Sequence, residues 1–597
     1  RFYFPVLAAG TVLLTALTGC EDALDKTNLS SIEEGLIFND STLARLNADY
    51  LYDQNLPIWF GQTGIGLGNI NPSTLTEETS GDNKYLEGSL TVTDVQDFGT
   101  GLSPTNNYGK IRAINMYLSA LRQGSIAAKS KNRLLAQGYF FRAYRYFDLA
   151  RIYGGVPLVL SPLAAVGTEA RDQAYLPRNT TTETFRQIVS DLDSAAMFLP
   201  GKWPATNDWG RITRGAALAM KARVLLYQAS PQFNPNDDQA RWQAAYNASV
   251  DAKAKLQAAG FGLHSSYDQL WFQESNSNPE AVLITGFNTA TGDQARKPNA
   301  YDNATRPSYT GTGGGSNQPT WDMVQAYPML DGKKITETGR YPYNRQLFYK
   351  NRDPRFAKTI AYNGATWPLN GNNSYKLWTY YNNAGTTSAE QRASNTGFYL
   401  RKAINPSVLA GDAQFVGTDW IEIRYAEVLL NLAEAATGVN NLPEAYTQLK
   451  AIRQRAGIEA GADGNYGLKV GMSRTEMFDA ILYERQIELA FEGKRFWDLR
   501  RWKKFESTLN GKKRQGLQIR LKATGVPANF ATTRDGLDLD MVYTNYFEFT
   551  ERNLEPTRYT NGINWQPNYY FLPIPQQAID NNPTLVQNTG WSGGSFD

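Results

Sequence analysis

Apolar positions along the chain fall into two long stretches of helical period, separated by a region with no sustained period. In 134–152, Leu134, Gly138, Phe141, Leu149 and Ile152 share one stripe at 100° per residue. Tyr139, Phe140, Tyr144, Tyr146 and Phe147 surround that stripe, so the spacing predicts a helix buried on more than one side. Gly154, Gly155 and Pro157 stop it. Further helices are predicted over 108–121, 182–199, 213–228 and 240–259. Gly215, Ala216, Ala217, Ala219 and Ala222 give the 213–228 helix small residues that let neighbours approach closely. The second stretch reads as helices over 421–436, 442–455 and 473–491, the last opened by the capping-box spacing of Ser473 and Glu476. Consecutive helix pairs of this kind predict a mainly α protein, a tetratricopeptide-like helical-repeat scaffold.

Residues 261–415 differ: Gly, Asn, Thr and Tyr are frequent, Gly311 to Gly315 reads as a flexible turn, and only short strand-like runs occur, at 281–286 and 358–362. Residues 506–570 share that texture. Loops this long are usually functional or disordered, and their aromatic content argues against disorder. The scaffold is therefore expected to carry an irregular, aromatic-rich loop layer with short strands. The expected division is 1–19 as a leader, 20–260 as an N-terminal helical region, and 261–597 as a C-terminal region holding the loop layer (261–415), helices (421–505) and closing loops.

The leader reading rests on the apolar run 2–17, too short to span a bilayer, which needs about 20 residues. It follows Arg1 and exits through Leu17-Thr18-Gly19-Cys20, which looks like a bacterial lipobox; with no initiator Met, part of the basic leader is expected to be missing. Cys20 is the only cysteine in 597 residues, so it is expected to carry lipid and not a disulfide. Glu21, Asp22 and Asp25 follow it and resemble the surface-export signal of Bacteroidota lipoproteins.

Composition narrows the chemistry. A net charge of +3 without a Lys/Arg block speaks against nucleic acid. One histidine, His264, argues against structural zinc and against a Ser-His-Asp triad. No cofactor or metal is implied. Charged residues on core stripes are expected to be structural ion pairs: Arg145 and Asp148 on one helix, and Arg485 with Glu492 on another. A glycosidase needs only two carboxylates, so residue supply leaves that class open. Aromatics at 12%, with 34 Tyr and 13 Trp, call for core packing, binding, or both.

Several segments resemble the SusD/RagB family. They are Phe140-Phe141-Arg142-Ala143-Tyr144 leading to Tyr153-Gly154-Gly155-Val156-Pro157-Leu158; the run from Gly215 to Tyr227; Arg424-Tyr425-Ala426-Glu427-Val428-Leu429-Leu430 with Ala433-Glu434-Ala435; and Glu484-Arg485 through Phe491-Glu492-Gly493-Lys494-Arg495-Phe496-Trp497-Asp498-Leu499-Arg500. Asp353-Pro354-Arg355-Phe356, Pro573-Ile574-Pro575, Asn582-Pro583 and Gln587-Asn588 fit as well, whereas Gln577 stands where an acidic residue is more usual. The resemblance implies a non-enzymatic, lipid-anchored nutrient-binding protein on the extracellular face of the outer membrane. It would deliver an oligosaccharide to a SusC-like TonB-dependent transporter. A peptide-binding RagB-like member and a surface glycosidase are the alternatives.

Sugars present flat C–H patches with hydroxyls at the rim, which aromatic rings flanked by amides and charges can meet. Three loop clusters offer that mixture. The first holds Trp59, Phe60, Asn69, Glu77, Asp82 and Tyr85; the second Tyr301, Arg306, Tyr309, Asn317 and Trp321; the third Trp367, Asn370, Asn372, Asn373, Tyr375, Trp378, Tyr380 and Tyr381. The resemblance favours the first two, so Trp59, Tyr301, Tyr309 and Trp321 are expected as the platform and the third cluster as the next candidate.

Overall fold

The computed structural model describes residues 37–596, apart from 62–65, 69, 97, 100–104, 164–171, 289–296, 300, 308–313 and 391–393. Cys20 and its acidic neighbours, Asn69, Tyr309 and the Gly311 to Gly313 portion of the glycine run lie outside the described residues. Helices dominate. The first stretch forms α1 (Ser41–Asn55), α2 (Asn107–Gln123), α3 (Ala128–Tyr153), α4 (Thr181–Phe198), α5 (Arg214–Ala229) and α6 (Gln239–Ala258). Strand β1 (Ala281–Thr285) and helix α7 (Trp321–Ala326) lead into the loop layer, which holds β2 (Ile360–Ala361) and β3 (Tyr399–Leu400). Strand β4 (Trp420–Arg424) returns the chain to α8 (Tyr425–Gly438), α9 (Leu442–Ala456), α10 (Arg474–Glu488) and α11 (Arg495–Arg501). Strands β5 (Gln515–Leu521) and β6 (Phe547–Asn553) pair near the end.

Neighbouring helices pack in sequence: α2 on α3, α3 on α4, α4 on α5, α5 on α6, and α8 on α9 and α10. Helix α6 also packs on α8, so the chain on either side of residue 260 shares one scaffold. Every residue of α3 from Phe140 to Tyr153 is buried, as its all-round aromatic pattern requires. Gly154 (φ 78°) ends the helix, and a Cβ at Gly155 would lie 2.1 Å from the Asn179 carbonyl oxygen. The capping box of α10 is closed, with the Glu476 N–H donating to Ser473 Oγ (3.3 Å) and the Ser473 N–H to Glu476 Oε2 (2.8 Å). Helix α1 was not expected from the pattern. Its buried stripe is Ala44, Ala48, Leu51 and Asn55, too small and polar to stand out from its surroundings.

Two boundaries differ from the periodicity. Residues 421–424 are strand, not helix, because β4 pairs antiparallel with β1, Ala281 opposite Arg424 and Thr285 opposite Trp420. A short run buried on every side carries no period that separates strand from helix. Helix α10 stops at Glu488; Phe491 (φ 59°) and Gly493 (φ 68°) turn the chain away, and a Cβ at Gly493 would lie 2.0 Å from the Phe60 carbonyl oxygen.

That early stop corrects the expected Arg485–Glu492 pair. Glu492 lies off the α10 stripe and pairs with Arg424 (2.8 Å) and Lys402 (2.5 Å), while Arg485 pairs with Asp498 (2.8 Å). Arg145 and Asp148 do pair, at 2.8 Å. Around Glu488 the pairs join into one network of five acids (Glu280, Asp353, Glu484, Glu488, Glu492) and five bases (Arg355, Lys402, Arg424, Arg453, Arg455). The charges balance, as burial demands. Burial opposes ionisation of Glu488, yet Arg455, Arg424 and Arg355 hold its carboxyl well below the usual range.

The hydrophobic interior has two main bodies. One lies among the helices. The other joins Trp59, Trp271, Trp321, Trp367, Trp378 and Trp420 with Tyr301, Phe348, Phe398 and Tyr543 under the loop layer. Much of the aromatic excess is thus spent on a second core.

Candidate ligand-binding cleft

The first two aromatic clusters meet, but inside the protein. Trp59 and Tyr301 stack with centroids 3.9 Å apart and planes at 3°. The Trp59 indole N–H donates to the Thr418 carbonyl (3.2 Å), and the Tyr301 hydroxyl donates to the Lys402 carbonyl. Trp321 is 1% exposed and stacks on Phe398. Arg306 is buried and paired with Asp302, and Tyr85 is buried against Tyr569 with its hydroxyl accepting from Arg500 (3.0 Å). Trp367 is buried as well. The expected platform of Trp59, Tyr301 and Trp321 is therefore not open: a ring sandwiched between neighbours has no face left for a sugar. Asp82 is at the surface, ion-paired to Arg558.

The third cluster opens onto solvent. A cleft of about 880 Å³ is lined by Thr366, Asn372, Asn373, Ser374, Tyr375, Lys376 and Trp378 on one side and by Ala389, Glu390, Arg534 and Asp535 on the other. Its first wall is a small hairpin. Thr366 bridges Lys376 and Leu369 bridges Asn372, so Asn370 (φ 57°) and Gly371 (φ 72°) make a two-residue turn with both φ values positive. Asn-Gly is the dipeptide such turns favour. The turn lifts Asn372, Asn373 and Ser374 into solvent and leaves Tyr375 and Lys376 half-buried above the buried Trp378.

The second wall comes from far along the chain. The Trp378 indole N–H donates to Asp535 Oδ1 (2.6 Å), and Lys376 Nζ donates to the Asp535 carbonyl (2.8 Å). Arg534 donates to the Tyr380 hydroxyl (2.5 Å) and lies over two rings, 5.2 Å from the Trp378 centroid and 5.3 Å from that of Tyr380. Glu390 closes the back. Its Oε1 accepts from the Ser394 N–H and the Tyr399 hydroxyl, both at 2.8 Å, and burial pushes its carboxyl up to about 7. Sequence reasoning placed Trp378, Tyr375 and the asparagines together because they are adjacent in the chain. Lys376 and Ser374 were passed over within the same run, although the Asn370-Gly371 turn signal implied that they share the hairpin. Glu390, Arg534 and Asp535 had no local signal, since only the fold brings them there.

Among the described residues no group of three or more His, Cys, Asp or Glu is arranged to hold a metal ion. The cleft combines a half-buried phenol ring, amide and hydroxyl groups at the rim, and two cations. Such a lining fits a ring with apolar faces and polar edges.

A profile described as the SusD family matches residues 279–591, and another, described as starch-binding associating with outer membrane, matches residues 71–226. The chain belongs to the SusD family. SusD-like protein P2 of Formosa agariphila is 24% identical over 518 residues, 82% of this chain and 89% of the relative. A SusD-like protein of Bacteroides ovatus is 23% identical over 505 residues, 80% of this chain and 79% of the relative. Among solved structures, a SusD-like protein from Bacteroides fragilis superposes with a TM-score of 0.71 at 22% identity, over 94% of this chain and 99% of that one. A SusD-like carbohydrate binding protein from the same species gives 0.67 at 24% identity, over 92% and 99%. A laminarin binding SusD-like protein gives 0.57 at 20% identity, over 92% and 99%. At such identities the likeness is one of fold, the tetratricopeptide-like scaffold with its loop layer. The SusD-family segments noted in the sequence carry Arg424, Glu427, Glu434, Glu484, Glu492 and Asp498, all of them in buried ion pairs. Those motif charges lock helices and strands together, and none of them lines the cleft.

Proposed function

We propose that this SusD-family protein binds an oligosaccharide in the cleft between the 366–378 hairpin and Arg534-Asp535. The observation that carries the reading is Tyr375, half-buried beside Trp378 and rimmed by Asn372, Asn373 and Ser374. Relatives of the same fold are described as carbohydrate binding and laminarin binding, which supports a sugar over a peptide. A glycosidase needs two carboxyls, and of the two in the cleft, Glu390 and Asp535, the first is not free. Glu390 has one oxygen occupied by two donors and the other sealed from solvent, so it cannot reach a glycosidic oxygen as it stands.

Capture is then one half of uptake. Among the described residues no helix is long and apolar enough to cross a membrane. The proposed arrangement is an anchor through acylated Cys20 on the extracellular face of the outer membrane, with a SusC-like TonB-dependent transporter as partner. Confinement to one membrane raises the effective concentration of the two proteins without a new contact. Affinity electrophoresis against a panel of soluble polysaccharides tests the binding step. Retardation by at least one polymer is expected for the wild type and is expected to be lost in Tyr375→Ala combined with Asn372→Ala. Unchanged retardation in that double variant, with an unchanged melting profile, moves the site elsewhere. Mass spectrometry of the membrane fraction tests the anchor; an unmodified Cys20 in native protein overturns it.

A further inference from the structure

Many buried cations of this protein pair with carboxylates, while Arg178, Arg352 and Arg500 are buried against backbone carbonyls instead. Arg355, Arg424, Arg453, Arg455 and Lys402 all meet carboxylates at 2.8 Å or less, and Arg223, Arg485 and Arg501 do likewise. The two cations of the cleft also lack carboxylate partners, but they line an opening to solvent where a ligand can reach them. Lys376 donates to a backbone carbonyl, and Arg534 donates one N–H to the Tyr380 hydroxyl, its guanidinium carbon 5.2 Å from the Trp378 ring centroid and 5.3 Å from that of Tyr380. Among the described residues neither has a carboxylate within ion-pairing distance, although both are half-buried. The nearby acids cancel them only in part. Asp535, whose Oδ1 accepts from the Trp378 indole, offsets at most one of the two cations, and Glu390 sits sealed behind the wall, where burial pushes its carboxyl up to about 7 and leaves it only partly ionised near neutrality.

A guanidinium tied to the Tyr380 hydroxyl beside two aromatic rings has part of its side-chain freedom already removed, and its remaining N–H groups can meet two oxygens of one acid group together. We propose that the cleft selects an anionic sugar, with Arg534 and Lys376 receiving a carboxylate or a sulfate ester. This deepens the oligosaccharide reading and rests on it. The two acid groups share the chemistry; polygalacturonate and ι-carrageenan separate them as a uronate and a sulfate ester.

Isothermal calorimetry on the full chain, with laminarin as the neutral probe beside those two polymers, tests the inference. At least one acidic polymer is expected to bind at least roughly tenfold more tightly than laminarin. That affinity should fall several-fold between about 50 mM and 500 mM NaCl. Arg534→Gln and Lys376→Met should each lower it about tenfold, with the half-exposed Lys376→Met serving as the variant safest for the fold. Stronger binding of laminarin, lost in Tyr375→Ala, overturns the anionic selection while the oligosaccharide reading stands. Acidic binding that survives both Arg534→Gln and Lys376→Met but is lost in Tyr375→Ala overturns it in the same way. Binding untouched by all three variants overturns both, and no binding to either acidic polymer overturns the anionic selection alone.

Discussion

The acids around Glu488 and those around Trp378 are the same functional groups in opposite settings. In the scaffold, five carboxylates and five cations face one another in the dry interior, and each charge is answered by its opposite. At the cleft, among the described residues, the buried carboxyl of Glu390 has no cation partner, and two cations are left without carboxylates. The difference separates what charge does in this protein: around Glu488 it fixes packing, and at the cleft it is left available. A sequence-level search for charged residues on helical stripes finds only the first kind, which is why the carboxylates of the strongest family motif are poor guides to the binding site.

The comparison breaks most easily at Glu488. Glu488→Ala leaves Arg355, Arg424 and Arg455 each short of a partner and should cost roughly 5 kcal/mol, the upper end for a buried charge set left unpaired. Urea unfolding measures it, and a loss under about 1 kcal/mol would show that the network is not built as described. Next in size is the exchange between stability and binding. Trp59→Ala removes a ring stacked inside the second core and should cost about 3–5 kcal/mol without altering ligand affinity in the folded fraction. Tyr375→Ala should do the reverse, with stability within about 1 kcal/mol of wild type and affinity down at least tenfold. If both variants behave alike, the division between core and cleft aromatics fails.

A third test uses pH. Burial pushes Glu78, Glu274 and Glu390 up to about 7 and Asp419 up to about 6, Glu274 being raised further by Asp419. An acid raised in the folded state contributes stability that is complete below its unfolded value, near about 4, and is lost as pH rises through the folded value. The scaffold acids run the other way. Against the push of burial, Lys494 and Arg223 hold Glu422 down at about 2, so its contribution is lost only in acid well below the working range. The melting temperature should therefore fall as pH rises from about 5 to 8, and Glu390→Gln should flatten part of that slope in scanning calorimetry. The smallest effect belongs to the exposed pair of Arg345 and Glu551, 2.7 Å apart at the surface; Arg345→Ala should change stability by no more than about 0.5 kcal/mol.

The helical half of the fold was legible because its helices carry bulky residues at helical spacing: α2 and α9 differ from the pattern by one or two residues at their ends, while α3 begins six residues earlier than the aromatic stripe marked. Helix α1 was not, since Ala44 and Ala48 give little contrast. The loop layer was legible as a layer but not as a core: nothing local distinguishes a tryptophan that stacks on Tyr301 from one that faces water. The cleft was half visible, in the run from Trp367 to Tyr381, and ranked below two clusters that turned out to be interior. Its other half, Glu390 with Arg534 and Asp535, depends on long-range packing that no spacing encodes.

The pairing of β1 with β4 has a consequence for how this architecture can change. Thr285 and Trp420 are partners across the ribbon, so everything between the strands leaves and returns at one doorway. Lengthening a segment whose ends are already held together adds only about 0.6 kcal/mol of closure entropy per doubling. Insertions and deletions at the exposed Asn370-Gly371 hairpin can then be absorbed while Asp353, Arg355 and Lys402 keep their places in the buried network, and the hairpin can be rebuilt for a new ligand while the ribbon keeps its register.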